Sequence, residues 1–241
     1  MSGFTATGIV VVVVDSVVVV FSTPMFAWSG GNPGVTNAIN NADAHPVSPN
    51  NREGGWFRMA GRTAPHNLFA SPAGLWSLAP QDQGQPAPVF QYRKPGEAPQ
   101  VGEPFQGVRM GLDGTRAQWL WDATSGAYLR EENGTPHTDT DGAQLSASNV
   151  VILTTEYGRS AADSRSPEAI TVGSGEARVL KDGQLFRGTW ERADAKSPWT
   201  LKTLDGTPIL LAPGRTWIEL AKEGDVSEIP DGSDPSSFPF P

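Results

Sequence analysis

Short apolar runs separated by Gly, Asp and Pro repeat along the chain between Trp119 and Leu220. Runs of this length, with turn residues between them, are typical of antiparallel β-strands. Asp182-Gly183 predicts a type I′ hairpin, because Asp and Gly readily adopt the two positive φ angles that this turn requires. Further hairpins are predicted around Ala123-Thr124-Ser125-Gly126 and Asp205-Gly206. The pattern therefore predicts a mainly antiparallel β domain over residues 105–220.

Two short helices are predicted before this domain, each from a capping residue followed by proline. Asn32 can cap a helix with Pro33 at its first position, and the apolar stripe that follows predicts a helix over residues 33–43. Ser71 and Pro72 carry the same signal for a second helix that ends near Ala79. The fold class predicted for the chain is therefore α+β, with its helices in residues 24–80.

The amino terminus carries a valine-rich apolar run over residues 8–21, interrupted by Asp15. The run is shorter than the roughly 20 apolar residues of a membrane-spanning helix and has a charge at its centre. No signal peptide is predicted, since residues 1–7 contain no Lys or Arg. Valine is β-branched, so two buried strands are expected here; left unpaired, they could promote self-association.

The remaining segments are poor in regular structure. Residues 80–104 contain six prolines, which disfavour helices and central strands, so residues 81–104 are predicted to connect two domains. Residues 221–241 have little apolar content and are predicted to form a loose tail. The expected organisation is thus an atypical segment (1–23), an amino-terminal domain (24–80), the connector, the β domain (105–220) and the tail.

Composition narrows the possible partners and cofactors. The formal net charge is -8 and no block of Lys and Arg occurs, which argues against nucleic acid as a partner. The absence of cysteine excludes disulfides, thiolate metal sites, a cysteine nucleophile and a lipobox Cys for a lipid anchor. The eight tryptophans are spread along the chain, as core aromatics are, although a ligand platform remains an alternative for individual ones. No cofactor is predicted.

Several segments occur together in an order that resembles the YerB-like family of bacterial envelope lipoproteins, a family of unknown function. They are FAWSGGNPGV, APHNLF, GTPHTDTDGAQLSASNVVIL, GSGEARVLKDGQLFRGTW and GTPILLAPGRTWIEL. The resemblance covers about residues 24–220 and implies a two-part α+β protein that is exported and lipid-anchored. It implies an incomplete amino-terminal domain here, because the family's Glu-Gly-Gly and Gly-Pro-Val-Arg-Ser motifs do not occur.

The loop from Ser29 to Gly34 is the first candidate binding site. It is rich in glycine and leads into the predicted helix, an arrangement in which backbone N–H groups can bind an anion. It lacks the Lys and hydroxyl of a phosphate-binding P-loop, so a tight structural turn is the alternative. The candidate ligand-binding residues in this region are Trp28, Gly30, Gly31 and Asn32.

Histidines mark two further candidate sites. His66 can act as a general acid or base, and the adjacent Asn67 could orient the imidazole or a substrate; a structural role is the alternative. His137, Asp139 and Asp141 stand at alternate positions, so they would share one face of an extended segment and could ligate a metal. Ordinary turn chemistry explains the same residues, and no metal site is predicted.

Three functional hypotheses follow. The first is an envelope-associated binding or scaffolding protein with an extracytoplasmic location, since no recognisable catalytic motif occurs. The second is a hydrolase or transferase that uses His66 and Asn67, with His137 and Asp139 across a cleft between the two domains. The third is a truncated, non-functional relative whose valine-rich edge needs another chain. The first is preferred, and an enzyme is the less favoured alternative.

Overall fold

The computed structural model describes residues 25–42, 44–49, 55–80, 88–112, 114–139 and 141–241. The chain divides into two compact units. Unit 1 contains the described residues before position 88 together with Arg159–Glu168, and unit 2 contains Pro88–Gly158 and Ala169–Pro241. The predicted valine-rich strands lie outside the described residues. Within the described ranges, no helix has the length and apolar character needed to cross a membrane.

Unit 1 is built from short elements that follow local capping and turn signals. Its elements are β1 (Met25–Ala27), α1 (Pro33–Asn40), β2 (His45–Val47), β3 (Trp56–Arg58), β4 (Leu68–Ala70) and α2 (Pro72–Trp76). β1 pairs with β2 in parallel, and β3 pairs with β4 antiparallel. Both predicted helices begin at their predicted caps, since Asn32 accepts from the Val35 N–H at 2.9 Å and Ser71 from the Gly74 N–H at 3.3 Å. They end at Asn40 and Trp76, three residues before the predicted ends.

With one exception, a short 3-10 helix, the regular elements described in the rest of the chain are strands. They are β5 (Glu103–Leu112), β6 (Thr115–Asp122), β7 (Ala127–Glu132), β8 (Thr135–Pro136), β9 (Ser146–Ala147), β10 (Asn149–Thr154), β11 (Tyr157–Arg159), β12 (Pro167–Ala169), β13 (Gly173–Lys181), β14 (Gln184–Arg192), β15 (Thr200–Thr203), β16 (Thr216–Ala221) and β17 (Val226–Pro230). β11 and β12 form a two-stranded sheet. A short 3-10 helix, Pro235–Ser237, follows β17.

Eleven of these strands form one large curled sheet in unit 2. Its order is β16-β10-β13-β14-β5-β6-β7-β8, with β15 on β14, β17 on β5 and β9 on β7. The strand pairings described in this sheet are antiparallel except that of β10 with β16, which is parallel. The described chain is therefore mostly β. The predicted α+β class is confirmed only in part, since α1 and α2 are its only α-helices and have eight and five residues.

The hairpins are where the sequence pattern was most informative. Asp182 and Gly183 have φ angles of 51° and 69°, which is the type I′ geometry predicted for this turn, and it joins β13 to β14. The turn at Ala123-Thr124-Ser125-Gly126 joins β6 to β7 as predicted. At Asp205-Gly206 the chain also reverses, and the Ile209 N–H donates to the Leu201 carbonyl at 2.9 Å. Local turn chemistry therefore determines these connections.

The unit 2 core forms because the sheet curls over its own apolar face. Phe105, Met110, Trp119 and Tyr128 from β5, β6 and β7 pack against side chains of β10, β13 and β14, including Ile152. All of these side chains are essentially inaccessible to solvent. Burial of this apolar surface, at about 25 cal/mol per Å², is the main stabilisation of the sheet.

Three predicted boundaries are wrong. Residues 221–241 are not a loose tail, because β17 pairs with β5 and Ile229 is fully buried. The connector does not run to residue 104: Phe90 is buried and stacks on Trp199 with ring centroids 5.8 Å apart, so residues from 88 onward belong to unit 2. The predicted β domain is not continuous either, since Arg159–Glu168 belong to unit 1. In each case packing against distant residues stabilises a segment whose own sequence carries a weak signal.

Candidate functional site

An open cleft of about 660 Å³ lies in unit 1. Three of the predicted ligand-binding residues, Trp28, Gly30 and Gly31, line it, together with Trp56 and Arg58. The structure therefore brings the glycine-rich loop together with β3, which the sequence did not indicate. Its lining combines two indole rings with a guanidinium group, so the cleft offers both apolar surface and hydrogen-bond donors.

Asn32 does not line this cleft, because its side chain is engaged elsewhere. Its Oδ1 caps α1, and its Nδ2 donates to Asp163 Oδ2 at 3.0 Å. Gly30 has a φ of 78°, a conformation that glycine adopts at no steric cost, and this turn directs the chain from Trp28 into the helix. The glycine-rich loop thus forms a tight turn into α1, and two of its glycines, Gly30 and Gly31, also line the cleft.

Trp28 and Trp56 share an unusual feature. The Nε1 atom of each indole is buried and has no hydrogen-bond partner in the described part of the chain. An unpaired buried donor costs about 1–3 kcal/mol, so these two N–H groups are uncommon in a folded protein. Both belong to residues that line the cleft.

Arg58 is held at the cleft by Asn67, the second residue of the predicted His66-Asn67 pair. Arg58 Nη1 donates to Asn67 Oδ1 at 2.6 Å, and Asn67 Nδ2 donates to the Arg62 carbonyl at 3.2 Å. Asn67 thus orients the guanidinium group of Arg58 and stabilises the turn that contains Arg62. His66 is exposed in the turn between β3 and β4 and is not one of the residues that line the cleft.

A second concentration of polar chemistry lies in unit 2, around a buried arginine. Arg130 Nη1 donates to Glu132 Oε2 at 2.6 Å, and its Nε lies 3.8 Å from Glu219 Oε1. The same guanidinium group contacts His137 Nδ1 and lies 5.1 Å from the centroid of the Trp217 ring. We call this set the Arg130 cluster; its members are Trp119, Arg130, Glu132, His137, Trp217 and Glu219.

The two carboxylates of the Arg130 cluster differ in environment. Burial raises the pKa of Glu219, although Trp119 Nε1 donates to its Oε1 at 2.9 Å and Arg130 lies nearby. The hydrogen bond from Arg130 lowers the pKa of the more accessible Glu132. Carboxylates whose pKa values are shifted in opposite directions around one cation occur at functional sites and also in structural ion-pair networks.

The part of unit 2 that contains most of the Arg130 cluster is similar to a known protein family. Residues 108–218 match the model of a family described as the carboxy-terminal domain of a protein of unknown function, DUF3048. We refer to residues 108–218, which are similar to this domain, as the DUF3048 domain. Five of the six members of the Arg130 cluster lie within the DUF3048 domain, and Glu219 follows it directly.

The fold of the chain is similar to that of a solved structure, the YerB protein from Bacillus subtilis. The TM-score is 0.69 at 19% sequence identity, and the similarity covers 85% of this chain and 70% of YerB. Together with the DUF3048 domain, this fold confirms the resemblance to the YerB-like family. No curated protein matches the chain.

The candidate metal ligands of the DUF3048 domain have structural partners. Asp139 Oδ1 accepts from the N–H groups of Asp141 and Ala143 at 2.9 and 3.0 Å, and His137 contacts Arg130. Across the residues that the structure describes, no three His, Cys, Asp or Glu side chains come together in a way that could hold a metal ion. The two bonds accepted by Asp139 Oδ1 stabilise the turn that contains it.

Sequence reasoning missed Arg130, Glu132 and Glu219. Arg130 and Glu132 alternate along β7, and Glu219 interrupts the apolar strand β16, so a charge in an apolar run was the available signal. No local pattern could have paired Arg130 with a residue 89 positions away (219 minus 130). The Arg58–Asn67 contact was missed for the same reason, because it depends on how β3 and β4 pair.

Proposed function

We propose that this chain is a non-catalytic binding protein of the bacterial envelope, and that the unit 1 cleft binds a glycan. The observation that carries the proposal is the convergence of Trp28, Trp56 and Arg58 on one open cleft. The extracytoplasmic location rests on the resemblance to the YerB-like family. The arrangement favours binding, because none of the described residues that line the cleft is a histidine, aspartate or glutamate that could act as a general acid or base.

Each part of the cleft suits a different part of a sugar. An indole ring presents a flat apolar face to the C–H groups of a pyranose, and its N–H can donate to a hydroxyl oxygen. Both Nε1 atoms are buried in the unliganded chain, so a hydroxyl oxygen of the ligand satisfies the donor of Trp28 or Trp56 once the indole turns this atom toward the cleft. Arg58, which is exposed and oriented by Asn67, adds a charge-assisted hydrogen bond to a carboxylate. The preferred ligand is therefore an acidic glycan.

Isothermal titration calorimetry of the full chain with soluble glycan fragments from bacterial cell walls tests the proposal. Trp56→Phe keeps an aromatic ring and removes the N–H, while Arg58→Gln removes the charge. Each variant is expected to weaken binding by about tenfold, which corresponds to one charge-assisted or buried hydrogen bond. Arg58→Gln should affect acidic fragments more than neutral ones.

Trp76→Phe is the matched control. Trp76 is 61% exposed in α2 and is not one of the residues that line the cleft, so its replacement should leave binding unchanged. Circular dichroism of all variants confirms that they fold. Failure of the wild-type chain to bind any glycan fraction would contradict the proposal, and so would equal losses in Trp56→Phe and Trp76→Phe.

A further inference from the structure

The first four residues of β13 form an open strand edge in unit 2. β13 begins at Gly173, but its pairing with β10 ends where Ala177 lies opposite Leu153. On its other side β13 is paired with β14 over its full length. In the described part of the chain, residues 173–176 therefore have no strand partner on the side of β10, and Ser174 is exposed there.

Trp190 explains why the pairing ends. Its side chain crosses from β14 over Gly175, and Nε1 donates to the Thr154 carbonyl at 2.9 Å. A Cβ atom on Gly175 would lie 2.6 Å from Trp190 Nε1 and 2.5 Å from the Thr154 carbonyl oxygen, so only glycine fits there. The indole thus takes the Thr154 carbonyl oxygen as its acceptor, and the start of β13 is left without a neighbouring strand.

The direction of the free backbone groups follows from the hairpin. Lys181 and Gln184 flank the two-residue turn and form a hydrogen-bonded pair, so alternate residues back to Gly173 turn their N–H and C=O groups toward β14. Ser174 belongs to the intervening set. Its N–H and C=O groups therefore point to the open side, where a further strand could pair with them.

A groove of about 840 Å³ lies along this edge. The start of β13 forms one side, and residues 154–157 and 222–223 also line it. Ile170 and Val172, which are 47% and 43% exposed, contribute apolar surface. Thr155 also lines the groove; its residue is only 6% exposed, and its Oγ1 has no hydrogen-bond partner within the described ranges.

The charges along the groove have a clear bias. Three carboxylates, those of Glu156, Glu176 and Glu223, line it, against one ammonium group, that of Lys222. Lys222 lies 5.2 Å above the ring of Tyr157. All three glutamates are exposed, and Glu176 Oε2 also lies 3.7 Å from Arg178 Nη2, which leaves an excess of one carboxylate among these five charged groups. The groove therefore carries a net negative charge and complements a cationic ligand.

We propose that this groove binds an extended peptide segment of a partner protein that carries Lys or Arg side chains. The segment pairs with the main chain of Ser174 as an added strand, which is an established mode of peptide recognition. Its apolar side chains contact Ile170 and Val172, and its basic side chains contact the three glutamates. This site lies in unit 2 and is independent of the glycan cleft proposed for unit 1.

The probe is a nine-residue capped peptide of alternating lysine and valine, titrated into the full chain and followed by fluorescence anisotropy. A peptide with glutamate in place of each lysine is the first control and is expected to bind at least about tenfold more weakly, because like charges face each other. Replacing the central valine of the lysine peptide by proline removes a main-chain N–H donor and should also weaken binding.

The variants reverse the charge of the groove. Glu156→Lys combined with Glu176→Lys should weaken binding of the lysine peptide and strengthen that of the glutamate peptide, and both side chains are exposed, so the fold is retained. Asp231→Lys, in the exposed turn after β17, is the matched control and should leave binding unchanged. Trp56→Phe should also leave it unchanged, which separates this test from that of the glycan cleft.

Hydrogen exchange distinguishes strand addition from simple charge attraction. The Ser174 amide should become protected when the lysine peptide binds, while the Gly175 amide, already directed toward β14, should not change. Binding without protection of Ser174 overturns the proposal. So does the absence of binding, insensitivity to the paired glutamate variants, or a peptide-free dimer in which Ser174 is already protected by a second copy.

Discussion

Individual residues in unit 2 are constrained most strongly where the backbone of one strand approaches another closely. Gly188 of β14 is an example, because it lies opposite Thr203 of β15. A Cβ atom at position 188 would lie 1.8 Å from the Lys202 carbonyl oxygen. Only glycine therefore fits at position 188, because the backbone of β15 occupies the space of a Cβ atom.

We expect Gly188→Ala to lower the free energy of unfolding by roughly 1–3 kcal/mol, the usual cost of forcing extra volume into a packed site. Gly158→Ala is the control, because a Cβ atom at Gly158 meets nothing within 4 Å. That substitution should change the stability by less than about 0.5 kcal/mol. Urea denaturation of both variants measures the difference, and equal losses would contradict the close approach described for Gly188.

Glu219 makes the Arg130 cluster sensitive to pH. Burial raises its pKa above the unfolded value of 4.5, so between pH 4.5 and the folded pKa the native state holds a proton that the unfolded state has released. Stability contributed by Glu219 is therefore present at low pH and is lost as the pH rises through this window. Glu219→Gln does not titrate and lacks this dependence.

The expected result is that wild-type stability, measured relative to Glu219→Gln, falls as the pH is raised from about 4.5 toward 7, with a slope of at most about 1.4 kcal/mol per pH unit. Denaturation curves at several pH values measure it. Both proteins should also be compared in a His137→Gln background, because that imidazole contacts Arg130. If the stability of the wild type relative to Glu219→Gln rises with pH, then Arg130, and not burial, dominates the pKa of Glu219.

Among the elements, β17 shows how a weak sequence signal becomes an ordered strand. Its partner β5 supplies antiparallel hydrogen bonds from Met110 to Phe105, and Ile229 fills a fully buried position. Beyond β17, Phe240 packs on Arg109, with 4.7 Å from the guanidinium carbon to the ring centroid. One strand partner and a few side-chain contacts thus order a segment with few apolar residues.

Ile229→Ala is expected to lower the free energy of unfolding of unit 2 by about 2–5 kcal/mol, because it removes a buried side chain and leaves a cavity. The matched control is Ile170→Ala, whose side chain is 47% exposed and whose loss should cost less than about 0.5 kcal/mol. Thermal denaturation followed by far-ultraviolet circular dichroism compares them. A loose carboxy terminus would make the two variants equally stable.

At the scale of the whole chain, one segment of the carboxy-terminal half belongs to unit 1. After Gly158 it enters unit 1 for residues Arg159–Glu168 and then returns to unit 2. Inside unit 1 this segment contacts α1, since Asn32 donates to Asp163 and a Cβ atom on Gly34 would lie 2.3 Å from the Ala162 carbonyl oxygen. Unit 1 thus depends on a segment far away in sequence.

Gly34→Val should therefore destabilise unit 1 by roughly 1–3 kcal/mol through a clash with Ala162. Hydrogen exchange is expected to speed up in residues 25–80 and 159–168, with little change in the β10 and β13 amides of unit 2. Ala38→Val, on an exposed position of the same helix, is the control and should cost about 0.5 kcal/mol from helix propensity alone. Faster exchange confined to α1 would contradict a role for the 159–168 segment.

The sequence predicted only part of the candidate cleft. Trp28, Gly30 and Gly31 were identified because a glycine-rich loop before a helix is a local pattern. Arg58 was not, since its position depends on the pairing of β3 with β4 and on the bond to Asn67. The expectation for Asn32 and Asn67 as ligand residues did not account for the structural hydrogen bonds that occupy both side chains.

The sequence alone determined the features that are formed within a few residues. The type I′ turn at Asp182-Gly183 and the caps at Asn32 and Ser71 follow from backbone conformations and hydrogen bonds that each segment can make by itself. Only the tertiary structure decided the parallel pairing of β10 with β16, the position of β17 and the partners of Arg130. Those contacts join residues far apart in the chain, and the packing of the whole sheet selects them from many alternatives.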